Sequence, residues 1–129
     1  MNKLIALLLL FYTAQSFSQT TQKTEDNTIY NTAGLNVKPE FPGGLDKLKA
    51  TVNENYLKVY NSEIKGKVYA MFIIEKDGSL SDIKILRGVD SEKAKELIRI
   101  LSELPKWSPG KQHEQTVRTL YSVVLKIGR

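Results

Sequence analysis

Side chains that could do chemistry are few in this sequence of 129 residues. There is no cysteine, and the only imidazole belongs to His113, which lies beside Glu114 in a polar segment. Nucleophilic catalysis needs a base within reach of a nucleophile, and a zinc site without cysteine would need mostly carboxylate ligands. The sequence shows no such cluster. We therefore expect no catalytic residue, no metal ion and no cofactor.

Three carboxylates flank a predicted turn: Glu75, Asp77 and Asp82. A calcium loop would need further carboxylates at alternating positions, where Ser79 and Ser81 stand instead. Glycoside hydrolysis needs two facing carboxylates, and we expect no pocket between these in so small a fold. The sequence therefore predicts a protein that is not an enzyme.

Residues 1–18 have the three parts of a secretory signal peptide. A short basic start precedes an apolar run from Leu4 to Tyr12, and Ser16 and Ser18 supply the small residues of a cleavage site. The apolar run is shorter than the roughly 20 residues that a spanning helix needs. We predict cleavage after Ser18, with retention as a membrane anchor as the alternative.

Export and the lack of cysteine together restrict where the chain works. Without cysteine it cannot be a lipoprotein or form a disulfide, so we predict a soluble periplasmic protein. The formal charge of +5 is spread along the chain; it favours an ordinary solvated surface, with cell-wall polymer as an alternative partner. No basic stripe with interleaved aromatics is present, so we expect no nucleic acid.

The rest of the chain divides into a leader and one domain. Residues 19–37 are polar and contain few large apolar side chains, which predicts a flexible leader. Residues 38–129 form the domain, and apolar periodicity predicts its elements. These are a helix from Leu45 to about Asn61, a strand from Gly66 to Lys76, a strand from Leu80 to Arg87, a helix that begins at the N-cap Asp90 and ends near Leu104, and a strand from about Thr116 to Ile127.

The predicted fold is α+β, with two layers. The Asp77-Gly78 pair predicts a tight hairpin between the first two strands, and the helix before the last strand allows that strand to join the same sheet. The first strand is apolar on both faces, which is typical of a central position. We expect a three-stranded antiparallel sheet with both helices on one face. The second helix would present an apolar stripe of Ala94, Leu97, Ile98, Leu101 and Leu104.

The last strand is a predicted edge without the usual protection. Edge strands are normally blunted by charge or bulges, yet between Arg118 and Lys126 the sequence is TLYSVVL. This edge could accept an extended peptide by strand addition. It could instead form a homodimer along the edge, or it could be covered by the leader.

The segment LPKWSPGKQ holds the only tryptophan, Trp107, between Pro105 and Pro109. The prolines end the preceding helix, so the indole lies at a forced turn. We interpret Trp107 as a structural plug under the helix and sheet; a platform for a ligand is the alternative. Pro105, Pro109 and the turn residue Gly78 are predicted to be structural.

Three segments, in chain order, resemble the C-terminal domain of TonB in the short form common in Bacteroidetes envelope proteins. They are PEFPGG, GKVYAMFIIEKDGSLSDIKILRGVD and LPKWSPGKQ with VRTLYSV. The resemblance covers about Lys38 to Ile127. The Lys-Asp-Gly hairpin and the Pro-Lys-Trp-x-Pro-Gly turn are specific as a pair, whereas either alone is weak.

This resemblance implies that the domain binds the TonB box of outer-membrane transporters by adding it to the last strand. The peptide-contacting strand would comprise Val117, Arg118, Thr119, Leu120, Tyr121, Ser122, Val123, Val124 and Leu125. A proline–aromatic–proline motif matches Pro39, Phe41 and Pro42. A complete TonB keeps an uncleaved membrane helix and a long proline-rich span. Here the leader has no proline-rich spacer, and cleavage after Ser18 would remove the apolar N-terminus. The resemblance therefore implies an accessory role, with a homodimer or a peptidoglycan-binding envelope protein as the alternative.

Overall fold

The computed structural model describes residues 26–63 and 65–129. The predicted signal peptide and the start of the predicted leader lie outside the described residues. The main elements follow the predicted order of helix, strand, strand, helix and strand, and three short strands are added. The elements are β1 (Ile29–Asn31), α1 (Leu45–Val59), β2 (Gly66–Ile74), β3 (Leu80–Arg87), α2 (Ser91–Ser102), β4 (Lys111–Gln112), β5 (Gln115–Thr116) and β6 (Arg118–Ile127).

The main sheet has four strands in the order β1-β6-β2-β3. As predicted, β2 is central and runs antiparallel to both β3 and β6. The sheet is mixed, because β1 runs parallel to β6, and β4 and β5 form a separate two-stranded sheet. The α+β class is therefore confirmed, while the expectation of a three-stranded antiparallel sheet is wrong.

The additional strand comes from the predicted leader. Residues 29–31 were expected to lie outside the fold, but β1 pairs with the first three residues of β6. None of the side chains of β1 is buried, so its pairing depends on the main chain. A polar sequence can form such pairing as well as an apolar one. The buried side chain of Leu35 then fixes the chain to the domain.

The helices pack on the sheet through one core. α1 contacts β6, α2 contacts β3, and the helices contact each other. On α2 the buried residues are Leu97, Ile100 and Leu101, whereas the predicted Ile98 is only half-buried. Ile100 lies three residues after Leu97 on the same face of the helix, while Ile98 is rotated by about 100° from it. The predicted stripe was therefore wrong at that position.

Local sequence sets the limits of α2 and of the β2–β3 hairpin. Asp90 caps α2, because its carboxylate accepts a hydrogen bond of 3.0 Å from the Lys93 amide. In the hairpin, the Asp77 carboxylate accepts from the amide of Ser79 at 2.9 Å, and Gly78 adopts a φ of 86°. Among the described helices, none has the length and apolarity to cross a membrane.

Candidate peptide-binding edge

β6 is held firmly along its inner side. Its pairing with β2 runs without interruption from Thr119 opposite Ile74 to Ile127 opposite Gly66. Its odd-numbered residues from 119 to 127 face the helices, and all of them except the half-buried Tyr121 are buried. β-Branched and aromatic side chains suit such a half-buried strand. The inner pairing therefore fixes the position of every residue on the outer side.

The outer side of β6 is only partly covered. β1 pairs with Arg118, Thr119 and Leu120. In the described part of the chain, no strand pairs with the outer side of residues 121–127, which we call the open edge. Of the predicted peptide-contacting residues, Tyr121 to Leu125 lie on the open edge. The leader therefore covers the first three residues of β6, and Val117 lies before the strand.

The main-chain groups of the open edge can be assigned by alternation. The Thr32 hydroxyl, which follows β1, donates a hydrogen bond of 3.2 Å to the Leu120 carbonyl, so this carbonyl points outward. In a strand, the N–H and C=O of one residue point to the same side, and alternate residues share a direction. Ser122, Val124 and Lys126 therefore direct their main-chain donors and acceptors away from β2.

The covered end of β6 is fixed by an ion pair. The Arg118 guanidinium donates to the Glu75 carboxylate at 2.6 Å and 3.2 Å, and also to the carbonyl of Asn27 at 3.3 Å. The Arg118 hydrogen bond lowers the pKa of Glu75, and a further hydrogen bond from Ser81 lowers it as well. This contact ties the hairpin, the start of β6 and the segment before β1 together.

The sheet face opposite the helices carries an apolar band beside the open edge. Val124 lies opposite Tyr69, and Leu120 lies opposite Ile73. Tyr69, Leu120 and Val124 are half-buried, and Ile73 is buried. A peptide along the open edge would place alternate side chains next to this band, which would select for apolar residues.

The other end of the open edge is basic. Lys65, Lys67, Lys126 and Arg129 line a cavity of about 530 Å³ at the end of β6. Asn53 also lines the cavity, and its side chain donates to the carbonyl of Gly128 and accepts from its amide. No carboxylate side chain lines this cavity.

The opposite edge of the sheet, on β3, is protected. Its pairing with β2 shifts register twice, and Asp82 adopts a φ of 47°. Exposed charges at Asp82, Lys84 and Arg87 follow one another along it. Bulges and charges of this kind prevent further strand pairing. Residues 121–125 of β6 have neither a bulge nor a charge.

Trp107 lies inside the domain. Only 4% of its surface is exposed, and its ring packs at steep angles on Phe41, Phe72 and Tyr121, with centroid distances of 5.0 to 5.6 Å. We call these four residues the aromatic cluster. The indole fills the core and presents no platform to a ligand at the surface.

The hairpin turn packs directly on the tryptophan turn. The amide of Trp107 donates a hydrogen bond of 2.9 Å to the carbonyl of Gly78. A Cβ on Gly78 would lie 2.0 Å from the Trp107 carbonyl oxygen. Pro105 is exposed and Pro109 half-buried in the segment that follows α2. Only glycine fits at position 78.

The proline–aromatic–proline motif also lies against the tryptophan turn. Glu40 exchanges two main-chain hydrogen bonds with Ser108, of 3.0 and 2.8 Å. Pro39 and Phe41 are buried, whereas Pro42 is exposed. Phe41 therefore contributes to the aromatic cluster, and none of the contacts found for this motif involves the open edge.

His113 and Glu114 form the turn between β4 and β5, with φ values of 50° and 66°. Both residues are exposed. Positive φ at both central positions defines a hairpin turn that usually contains Asn or Gly. No strand was predicted in this polar segment, because its atypical turn residues gave no signal for a hairpin.

Two carboxylates near the β2–β3 turn, those of Glu75 and Asp77, are stabilised in their charged form. Hydrogen bonds from Ser79 lower the pKa of Asp77, as Arg118 lowers that of Glu75. Asp82 lies 3.5 Å from the Lys84 ammonium. A general acid needs a raised pKa, which neither Asp77 nor Glu75 has. Among the described residues, no group of three or more His, Asp and Glu side chains could hold a metal ion.

No protein-family model matches the chain, and no curated protein matches it.

Sequence reasoning missed the basic end of the open edge. Lys67 and Lys126 are far apart in sequence, and each alone is an unremarkable surface lysine. The antiparallel pairing of β2 and β6 brings the start of one strand to the end of the other. Apolar alternation indicates that the two lysines share a face of the sheet, but it does not determine the register that places them opposite each other.

Proposed function

We propose that this protein is a periplasmic binding module that takes an extended peptide onto β6 by strand addition. The single observation behind this proposal is the open edge. The outer side of β6 already accepts one segment of the chain, β1, but only along three residues. Residues 121–127 offer the same kind of surface over about 23 Å, at 3.3 Å per residue.

The geometry of the edge supports a sequence-selective interaction. The outward main-chain groups of Ser122, Val124 and Lys126 would provide hydrogen bonds that any extended peptide can use. Selectivity would come from side chains, since the apolar band beside Val124 would favour a peptide with apolar residues at alternate positions. The absence of bulges leaves the edge ready for pairing without rearrangement.

The TonB box of an outer-membrane TonB-dependent transporter is the peptide we propose. The sequence resemblance to the TonB C-terminal domain assigns peptide binding to this same strand, and the open edge was inferred independently of that resemblance. We propose an accessory role in transport. Periplasmic location rests on the predicted signal peptide.

An NMR titration tests the proposal. The protein lacking residues 1–18 is titrated with TonB-box peptides from transporters of the same organism. We expect amide shifts and new protection from hydrogen exchange at Ser122, Val124 and Lys126, the residues whose amides point outward. If millimolar peptide leaves these amides unchanged, the proposal is wrong.

A pair of variants isolates main-chain pairing. Val124→Pro removes an outward N–H without removing a hydrogen bond to β2, and proline is tolerated at such edge positions. Val124→Ala shortens the side chain and keeps the N–H. We expect the proline variant to remain folded and lose peptide binding, while the alanine variant retains most of it. Equal loss in both would show that side-chain contacts dominate.

The same edge leaves a homodimer as the second candidate, because two copies of β6 could pair along residues 121–127. Sedimentation at increasing protein concentration distinguishes the homodimer from the peptide-binding module, since a dimer would form without peptide and Val124→Pro would dissociate it.

A cell-wall role has its own test: the protein should pellet with peptidoglycan, and salt should release it.

A further inference from the structure

The cavity where β2 begins and β6 ends, which we call the basic cavity, has an uncompensated positive charge. Four cationic side chains line it: Lys65, Lys67, Lys126 and Arg129. No carboxylate side chain lines it, and none of the four cations forms an ion pair with a described side chain. Glu63 is close in sequence, but it is exposed and does not line the cavity.

The pairing of β2 with β6 holds two of these like charges side by side. Lys67 lies directly opposite Lys126 on antiparallel strands, so their side chains leave the same face of the sheet about 5 Å apart. Like charges in this arrangement destabilise a sheet. An anion between the two ammonium groups would turn this repulsion into attraction.

Hydrogen bonds fix the main chain around the basic cavity. The Asn53 side chain on α1 donates to the Gly128 carbonyl at 3.0 Å and accepts from the Gly128 amide at 2.9 Å. The Arg129 amide donates to the Ser62 carbonyl at 3.2 Å. Residues 128 and 129 are thereby held against α1 and the loop that follows it. The cavity wall is in place before a ligand binds, which lowers the entropic cost of binding.

The charge and size of the basic cavity favour a phosphate group over a carboxylate. A phosphate monoester carries about −1.5 to −2 charges at neutral pH and three acceptor oxygens, so it can bind several cations at once. Three of the four cations are lysines, and a lysine ammonium binds phosphate as a point charge. The cavity volume of about 530 Å³ is typical of small-molecule sites, which leaves room for the group that carries the phosphate.

We infer that the basic cavity binds a phosphate monoester, carried either by a small soluble molecule or by the headgroup of a lipid. The ammonium groups of Lys67 and Lys126 hold the phosphate between them, and Lys65 and Arg129 add to the positive field around it. The site requires no peptide on the open edge, so it is independent of the proposed function. Binding should weaken as salt is added, because salt screens exposed charges.

Glycerol 3-phosphate and phosphatidic acid test this inference, because they carry the same phosphate monoester in soluble and in lipid form. The protein as isolated from its producing cells is titrated with glycerol 3-phosphate at constant ionic strength. Glycerol and glycerate, which lack the phosphate, are the control ligands. NMR follows the amides of Gly66, Lys67 and Gly128. For the lipid, the protein is sedimented with phosphatidylcholine vesicles that either contain or lack phosphatidic acid.

We expect the phosphate probe to shift these amides or the phosphatidic acid vesicles to carry the protein down, and glycerate to bind more weakly than glycerol 3-phosphate. Lys67→Gln combined with Lys126→Gln should weaken binding about three- to thirtyfold. Lys84→Gln combined with Lys106→Gln is the matched control, because it removes the same net charge. Both control lysines already have a carboxylate partner, at 3.5 and 3.8 Å, and this variant should bind like the wild type.

The two arms of the experiment identify the source of the phosphate. Sedimentation that depends on phosphatidic acid assigns a lipid headgroup, whereas binding of glycerol 3-phosphate alone assigns a soluble ligand. If the control variant loses as much binding as the cavity variant, only net charge matters and the inference is wrong. It is also wrong if glycerate binds as tightly as glycerol 3-phosphate, or if neither phosphate probe binds. None of these outcomes decides strand addition, which is measured at Ser122 and Val124.

Discussion

The aromatic cluster and the open edge meet at Tyr121, yet they are built in opposite ways. In the cluster, Phe41, Phe72, Trp107 and Tyr121 come from four separate parts of the chain and pack on one another. Along the open edge, a single strand presents one side without any partner in the described chain. Contacts between distant segments stabilise the fold, whereas unsatisfied main-chain groups at the surface are available for binding.

This difference predicts where substitutions should act. Changes in the cluster should lower the free energy of unfolding, because buried rings lose their packing. Changes at Ser122 and Lys126, the exposed residues of the open edge, should alter binding and leave stability nearly unchanged, since exposed positions contribute little to it. The following substitutions test the residues that stabilise the fold.

Trp107→Ala should have the largest effect. Removing a buried tryptophan leaves a cavity among the three other rings and should cost about 3–5 kcal/mol of unfolding free energy, measured by urea denaturation. Trp107→Phe keeps an aromatic ring and should cost less. A loss below about 1 kcal/mol for the alanine variant would be within the range of a surface change. It would contradict the stabilising role assigned to the aromatic cluster.

Gly78→Ala should follow. The new Cβ would overlap the Trp107 carbonyl oxygen, and alanine is strained at a φ of 86°, so we expect a loss of about 2 kcal/mol or more. Gly34→Ala is the control, because nothing lies within 4 Å of a Cβ there. Equal melting temperatures for the two variants would contradict the contact between the turns.

Thr119→Val should stabilise the protein. Thr119 is fully buried, and its hydroxyl has no hydrogen-bond partner among the described residues. Replacing the hydroxyl with a methyl group of similar size should raise the unfolding free energy by about 1 kcal/mol. The exposed Thr116→Val should change it by less than about 0.5 kcal/mol. A loss on Thr119→Val would indicate that the hydroxyl is satisfied.

Glu75→Gln should have the smallest effect on the free energy of unfolding, and the size of this effect should depend on pH. Because Arg118 lowers the pKa of Glu75 in the folded protein, the ion pair stabilises the fold above the ordinary glutamate pKa. That contribution is lost as the pH falls through the lowered, folded-state pKa. Chemical denaturation should therefore show wild type more stable than Glu75→Gln at neutral pH, with the difference disappearing in acid. A difference that is constant with pH would exclude the ion pair as its source.

The parts of the fold with strong local signals could be predicted from sequence. Alternation identified β2 and β3, and the Asp77-Gly78 pair identified their turn. Asp90 marked the start of α2, because its side chain can accept a hydrogen bond from the helix. In each case the signal lies within a few residues of the feature that it determines.

The remaining features of the fold and of the candidate site depend on contacts between residues that are distant in sequence. β1 has no buried side chain to produce a pattern, so only its pairing with β6 reveals it. The basic end of the open edge likewise exists only once Lys67 and Lys126 are opposite each other. The edge itself was predictable, because residues 119–125 of β6 carry none of the charges that protect β3, but the part that β1 covers was not.

The direction of β1 determines how the protein can be attached to a surface or fused to another protein. Since β1 runs parallel to β6, the chain before it joins the fold beside the hairpin turn, where Asn27 contacts Arg118. Arg129 lies at the other end of β6, next to the lysines. The ten residues of β6 separate these points by about 33 Å. A tag fused directly after Arg129 would therefore emerge beside the basic cavity and obstruct it, whereas one that enters the fold through β1 would join it at the opposite end of β6.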